Sequence, residues 1–266
     1  MIKIGFLGTG NMGTAILKGI VSSDLREEAA LFVYDPLVEK AQALQEYGVT
    51  VCASEAETAS SSQFLFLAIK PQMFDTVLPR IADVITTDTV LVSIAAGMGI
   101  DYIRSLTKAD AKVILAMPNT PLLLGYGATA LAKDDSVSEE EFQTVRRIFD
   151  ACGITVVLQP DQMKEVIAVN SSSPAFIYLF AKGFLDYADS VGLPKEASKQ
   201  LFAQALIGSA KMITDSGQEL DSLIQQVSSP GGTTLAGLDE LYAGNLTDVI
   251  QNACKSCTKR AYELSK

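Results

Sequence analysis

Short apolar runs alternate with amphipathic segments along the first part of the chain. The runs are IKIGFLG (2–8), ALFVYD (30–35), FLFLAI (64–69), TVLVSIA (89–95) and AKVILAM (111–117), and segments such as AILKGIVSS and VEKAQALQEYG lie between them. Strand, helix, strand in this order implies a parallel, doubly wound sheet with helices on both faces. ATALAK (128–133) and ITVVL (154–158) extend the series, with SEEEFQTVRRIFDACG as the helix between them. After Gln159 and Pro160 the strands stop, and from Asp161 onward only helical patterning remains. The expected architecture is an α/β domain with a doubly wound, mostly parallel sheet over residues 1–160, followed by an all-helical domain over 161–266.

A length of 266 residues is comfortable for two cores of this kind. No segment of about 18 residues escapes a charged or strongly polar side chain, so no membrane span is expected. The N-terminus runs straight into a glycine-rich pattern without the basic, apolar and small-residue regions of a signal peptide, and the expected location is the cytoplasm. A formal net charge of −10 argues against a nucleic-acid partner, which needs a clustered basic face.

The cysteines are Cys52, Cys152, Cys254 and Cys257, and the chain has no histidine. A single C-x-x-C on a helix leaves a zinc site two ligands short, so these read as ordinary helix cysteines and no metal is expected. The lack of histidine also removes the commonest general base and the usual serine triad.

GFLGTGNMG opens the α/β part. Gly8, Gly10 and Gly13 form G-x-G-x-x-G between a strand and a helix, and Thr9, Asn11 and Met12 complete the loop. Glycines there permit a tight turn, close approach of a pyrophosphate to the backbone, and packing of helix on strand. The alternative is a purely structural glycine turn. Asp35 ends the next strand, where an acidic side chain is expected to bond the adenosine ribose hydroxyls and repel a 2′-phosphate; it could instead cap the following helix. The segment after it, PLVEK, holds no arginine, and Lys40 reads as lying a turn or more into the helix. NADH is therefore expected to serve at least as well as NADPH.

LAIKPQ sets Ala68, Ile69, Lys70 and Pro71 at the C-terminal end of a strand, the sheet edge where ligands of open α/β folds bind. AMPNTPLLLGYG sets Asn119 on a second such edge, as a cofactor contact or as a turn-closing residue.

In the helical part, VSSPGGTTLAGLDEL (227–241) reads as a helix start with Ser229 as cap and Pro230 at the first position, which puts Gly231 and Gly232 inside the first turn. Each glycine costs roughly 1 kcal/mol of helix propensity there. Bare backbone N–H groups beside the hydroxyls of Thr233 and Thr234 would grip a small carboxylate without arginine; the alternative is close packing against a neighbouring backbone. Farther back, PAFIYLFAKGFLDYADSVG carries Phe176, Ile177, Leu179, Phe180, Phe184 and Leu185 on more than one helix face, which calls for more than one packing partner and hence at least a dimer.

Taken together, GFLGTGNMG, LAIKPQ, MPNTP and above all SSPGGTTLAGLDEL resemble the pyrroline-5-carboxylate reductase family over nearly the whole length. The resemblance implies a Rossmann domain, a helical domain that interlocks with a twofold mate, and reduction of the cyclic imine of 1-pyrroline-5-carboxylate by NADPH or NADH as the last step of proline biosynthesis. It also allows a larger ring of dimers. It puts Ser229, Gly231, Gly232, Thr233 and Thr234 on the substrate-carboxylate loop, with Thr234 the catalytic threonine bonding the ring nitrogen. Where the family carries S-G-S-G-P-A-Y, this chain reads Asn170, Ser171, Ser172, Ser173, Pro174, Ala175, Phe176, and Glu55 brings a negative charge to a region near the adenosine end. The rival readings are another small NAD(P)-dependent dehydrogenase, which would show a catalytic lysine on a helix of its second domain, and a non-catalytic dinucleotide-binding relative.

Overall fold

The computed structural model describes residues 1–264. The strands are β1 (Ile2–Leu7), β2 (Ala29–Tyr34), β3 (Thr50–Val51), β4 (Phe64–Leu67), β5 (Val90–Ser93), β6 (Lys112–Met117), β7 (Gly127–Lys133) and β8 (Gly153–Val157). They form one eight-stranded sheet in the order β3-β2-β1-β4-β5-β6-β7-β8. Every neighbouring pair is parallel except β6 with β7.

Side chains alternate across this sheet, so its strands feed two cores. On β4, Phe64 and Phe66 enter the cluster on one face while Leu65 and Leu67 enter the cluster on the other. Burial on both faces is why these runs are apolar throughout rather than at every second position. The first face carries the helices Asn11–Val21 and Glu139–Asp150, and its centre is aromatic: Phe6 stacks on Phe66 at 4.8 Å, and Phe149 tilts against Phe66 at 5.9 Å. Ser138 and Glu141 close a reciprocal capping box that starts the second of these helices. The other face is covered by the helices Phe74–Ile81 and Ile100–Leu106.

Two compact units are distinct: Met1–Pro174 with the end of the chain from Ser256, and Ala175–Lys255. Residues 161–174 join the first because Met163 and Ile167, on short helical turns, enter the core under the sheet together with Ala261. The second unit is wholly helical, with helices that include Lys195–Asp215, Leu220–Gln226 and Thr233–Ala243. Those three helices bury no residue. A Phe180, Phe184 and Phe202 cluster, with ring centroids as close as 4.4 Å, organises the unit, but Leu179 and Leu201 stay 71% and 74% exposed. Among the described residues no helix is long and apolar enough to cross a membrane, and no group of His, Cys, Asp or Glu could hold a metal ion.

Candidate functional site

Between β1 and β4 the chain leaves the sheet toward opposite faces, and the crevice at their C-terminal ends is where an open α/β sheet binds ligands. A cavity of about 650 Å³ lies there. Gly8, Gly10, Asn11 and Met12 line it from the loop after β1, and Ala68, Ile69, Lys70 and Pro71 from the loop after β4. Asp35 lines it from the end of β2.

The three glycines differ in what requires them. Gly8 has φ +94°, and a Cβ there would come within 2.6 Å of the Ala68 carbonyl oxygen. A Cβ on Gly13 would meet the Gly8 carbonyl oxygen at 2.8 Å, so this glycine lets the helix Asn11–Val21 close onto the loop. A Cβ on Gly10 would meet nothing within 4 Å. No neighbour demands glycine at that position, which keeps the backbone open toward the cavity at the N-cap of the helix.

Thr9 and Gly13 are buried and shape the loop without lining the cavity. The amide and the hydroxyl of Thr9 both donate to Asp35 Oδ2, at 2.8 and 2.9 Å, and the Leu37 amide donates to Asp35 Oδ1 at 2.9 Å. The Asp35 carboxylate is 9% exposed and is tied to the glycine loop and to its own turn. Lys40 is closer than its sequence position implied. The helix after β2 starts only at Val38, so Lys40 is its third residue, and it lines the cavity with Asp35, Pro36 and Leu37. Glu55 lies outside the cavity lining and pairs with Arg80 at 3.1 Å.

Sequence reasoning missed Lys40, Met73 and the Ile94, Ala95 and Ala96 wall. The signal for the last was present, since SIAAG follows the end of β5 on the same edge of the sheet.

Asn119 lies outside this lining. Its Oδ1 accepts from the Ala128 amide at 2.9 Å, and its Nδ2 donates to Asn170 Oδ1 at 3.1 Å. Asn170 Nδ2 donates in turn to the carbonyls of Met117 and Ala128 at 2.7 and 3.0 Å, and the Ser171 hydroxyl donates to the Pro118 carbonyl at 3.0 Å. The polar residues of the NSSSPAF segment therefore brace the loop between β6 and β7.

In the helical unit the glycine pair has a different setting from the expected one. The helix runs Thr233–Ala243 and Gly232 is its N-cap, so both glycines precede the first turn and Ser229 is not the cap. Ser229 to Gly232 form a tight turn closed by the Gly232 amide donating to the Ser229 carbonyl at 2.9 Å. Gly231 has φ +70°, the backbone region that the third residue of a type II turn needs after proline. A Cβ on Gly232 would lie 2.6 Å from Ser229 Oγ and 2.9 Å from the Ser229 carbonyl oxygen. With no side-chain cap, the first-turn amides of the helix are left bare beside the exposed Thr233 and Thr234.

Comparison with known proteins follows the same division. A model of pyrroline-5-carboxylate reductase dimerisation matches residues 160–264, and one of NADP oxidoreductase, coenzyme F420-dependent, matches residues 3–97. The pyrroline-5-carboxylate reductase of Escherichia coli (strain K12) is 35% identical over 265 residues, covering 99% of this chain and 98% of that protein. The chain belongs to the pyrroline-5-carboxylate reductase family. Pyrroline-5-carboxylate reductase 3 of Danio rerio is 31% identical, with 99% of this chain and 91% of the relative covered. Among solved structures, the Plasmodium falciparum reductase with NADP bound superposes with a TM-score of 0.90 at 28% identity, covering 100% of this chain and 98% of that one. The Streptococcus pyogenes reductase gives 0.90 at 28% identity, with 98% of each chain covered. Lys182, one of the lysines of the helical part, is paired with Asp186 on a helix surface.

Proposed function

We propose that this member of the family reduces 1-pyrroline-5-carboxylate to L-proline, the final step of proline biosynthesis, as an NAD(P)H-dependent oxidoreductase. The observation that carries the reading is the cavity at the β1–β4 crossover, walled by an open Gly10 backbone and a helix N-terminus, in a chain that also holds the turn Ser229–Gly232 ahead of an uncapped helix.

The residues around the crevice fit a dinucleotide. Gly8 and Gly10 leave room for a pyrophosphate against the backbone, and the helix Asn11–Val21 presents its N-terminal amides to that charge. Leu37, Ile69, Pro71 and Met73 offer apolar walls to the adenine, and Asp35 keeps lone-pair capacity for a ribose hydroxyl beyond the three bonds it accepts. When bound, the reduced nicotinamide supplies a hydride to the imine carbon.

The chain's own part in the chemistry is positioning and charge complementarity. Ser229, Gly231, Gly232 and Thr233 form the substrate-carboxylate site through the bare first-turn amides of the helix Thr233–Ala243 and the Ser229 and Thr233 hydroxyls, with the Gly232 amide spent on closing the turn. The Thr234 hydroxyl orients the ring nitrogen by a hydrogen bond. A pyrrolinium that arrives protonated needs no strong acid, which agrees with a chain lacking histidine.

Two copies pair through the helical part, whose apolar side chains, Leu179 and Leu201 among them, have too little core of their own to enter. A larger ring of such dimers is the extension of this reading, and its place of work is the cytoplasm. The test is oxidation of NADH and of NADPH, followed at 340 nm, by purified protein with 1-pyrroline-5-carboxylate. Turnover to proline is expected with both. No oxidation by folded, dimeric protein would reject the reading.

A further inference from the structure

The ribose end of the cavity contains one carboxylate and one ammonium, and they are not equivalent. Asp35 accepts three hydrogen bonds from Thr9 and Leu37, which turn its oxygens toward the glycine loop and its own turn. Lys40 lines the same cavity, and its ammonium takes part in no ion pair among the described residues. The second negative charge that could stand nearby, Glu55, is neutralised by Arg80 and lies outside the lining. The Leu37-to-Asp35 bond tightens the turn after β2 and lets the helix begin at Val38, which brings Lys40 to the cavity wall.

A phosphate on the adenosine ribose 2′-oxygen would enter at the end of the second strand of such a fold, where a basic side chain from the following segment is the usual complement. Lysine can supply this as a point charge with three rotatable donors.

We propose that Lys40 is the specificity-determining residue that admits the 2′-phosphorylated dinucleotide, by pairing with its 2′-phosphate beside the Asp35 carboxylate. The inference rests on the dinucleotide reading of the cavity. It assigns to Lys40 a task separable from that reading, because NAD, which lacks the phosphate, does not use it. Lys70 lines the cavity too, but from the loop after β4, beside Pro71 and Met73. It serves as the internal control.

The test is calorimetric titration of the full-length protein with NADP⁺ and with NAD⁺, without substrate. Lys40→Gln should raise the Kd for NADP⁺ by about tenfold, the scale of one charge pair at a partly exposed site, and leave the Kd for NAD⁺ within about twofold. Lys40→Arg should retain NADP⁺ binding, and raising the salt concentration should weaken NADP⁺ more than NAD⁺ in the wild type and in Lys40→Arg, with a smaller difference in Lys40→Gln. Equal losses for both dinucleotides would mean that Lys40 is structural, and an unchanged NADP⁺ Kd would mean that it is idle; either overturns the proposal while leaving the cavity reading intact. A selective NADP⁺ loss in Lys70→Gln, and not in Lys40→Gln, would transfer the role to the other loop and also overturn it. Failure of the wild type to bind either dinucleotide would remove the reading of the cavity and the proposal together.

Discussion

Asp35 Oδ2 receives both the amide and the hydroxyl of Thr9, at 2.8 and 2.9 Å, so the end of β2 is pinned to the glycine loop that follows β1. Both residues are buried, and Thr9 shapes the loop from beneath the cavity wall. Thr9→Val keeps the amide bond and deletes the hydroxyl one, leaving a buried carboxylate short of a donor. We expect a loss of about 1–3 kcal/mol in urea unfolding. The Kd values for NAD⁺ and NADP⁺ should rise by similar factors, since the loop serves the part common to both. A change in one Kd alone would show that Thr9 acts on the ribose end instead.

Gly19 and Cys152 set a second tight contact, where the helix Asn11–Val21 meets the end of the helix Glu139–Asp150. A Cβ on Gly19 would lie 2.0 Å from Cys152 Sγ. Gly19→Ala should destabilise by about 1–3 kcal/mol through overpacking. Gly19→Ala with Cys152→Ala should recover most of that, and a failure to recover would mean that the backbone, not the sulfur, is the obstacle. Burial also pushes the Cys152 thiol from 9.0 up to about 11. The folded state then holds the proton more tightly than the unfolded chain, so stability from this group is intact below pH 9 and declines as pH rises toward 11. Cys152→Ala should flatten that part of the stability profile.

Most of the sheet was legible because a strand covered on both faces needs an apolar run, as β4 and β5 have, and the edge strand β8 was legible from its apolar run although Ile154, Val156 and Val157 are exposed. β3 was not, since Thr50–Val51 is a two-residue edge pairing with no pattern long enough to read. The apolar runs stop just before residue 160, which is where the sequence suggests a boundary, whereas the compact units divide after Pro174. What periodicity could not give was the packing of Met163 and Ile167 back under the sheet. The helix start at residue 233 was misread for a local reason. Proline before glycine suits both a first helical turn and the centre of a type II turn, and only the positive φ at Gly231 decides between them. Lys40 was misjudged in the same way: an Asp-Pro helix start would carry its side chain away, whereas the turn tied by the Leu37 amide delays the helix by two residues to Val38.

That turn changes how the proposed carboxylate site is best tested. Any side chain at Gly232 would strike the Ser229 carbonyl, so a raised KM in Gly232→Val would report the turn as much as the anion. Thr234 is the cleaner probe, being exposed in the first turn of the helix Thr233–Ala243. Thr234→Ala should lower kcat by about ten- to a hundredfold, the scale of one lost positioning contact. Dinucleotide Kd should stay within about twofold, because the residues that line the cavity all belong to the α/β unit while Thr234 belongs to the helical one. Thr234→Ser should restore much of the rate. Full activity in the alanine variant would remove Thr234 from the reaction.

The helical unit supplies its own test of assembly. Leu179 and Leu201 are 71% and 74% exposed in the single chain, where a polar replacement would ordinarily change stability by less than about 0.5 kcal/mol. If a second copy covers these helices, Leu179→Asp with Leu201→Asp should shift the protein from dimer toward monomer by light scattering at micromolar concentration and lower its melting temperature. A wild type that is monomeric under those conditions would refute pairing through this part of the chain.

Cofactor choice depends on the balance between Asp35 and Lys40. Had the carboxylate stood alone, a 2′-phosphate at 4 Å would face a repulsion of order 1 kcal/mol in water and several times that in a partly buried site. Lys40, lining the same cavity without an ion-pair partner among the described residues, opposes that repulsion. Asp35 meanwhile retains a lone-pair direction for a ribose hydroxyl, an interaction that a 2′-phosphate forfeits. The wild type should accordingly use both cofactors, with kcat/KM for NADH at least equal to that for NADPH and the ratio within about tenfold. Asp35→Ser should depress NADH efficiency more than NADPH efficiency, because both lose the anchored loop but only NADPH is relieved of repulsion. A wild-type preference for NADPH of tenfold or more would mean that Lys40 outweighs Asp35 and that the carboxylate serves only to hold Thr9 and the turn at Leu37.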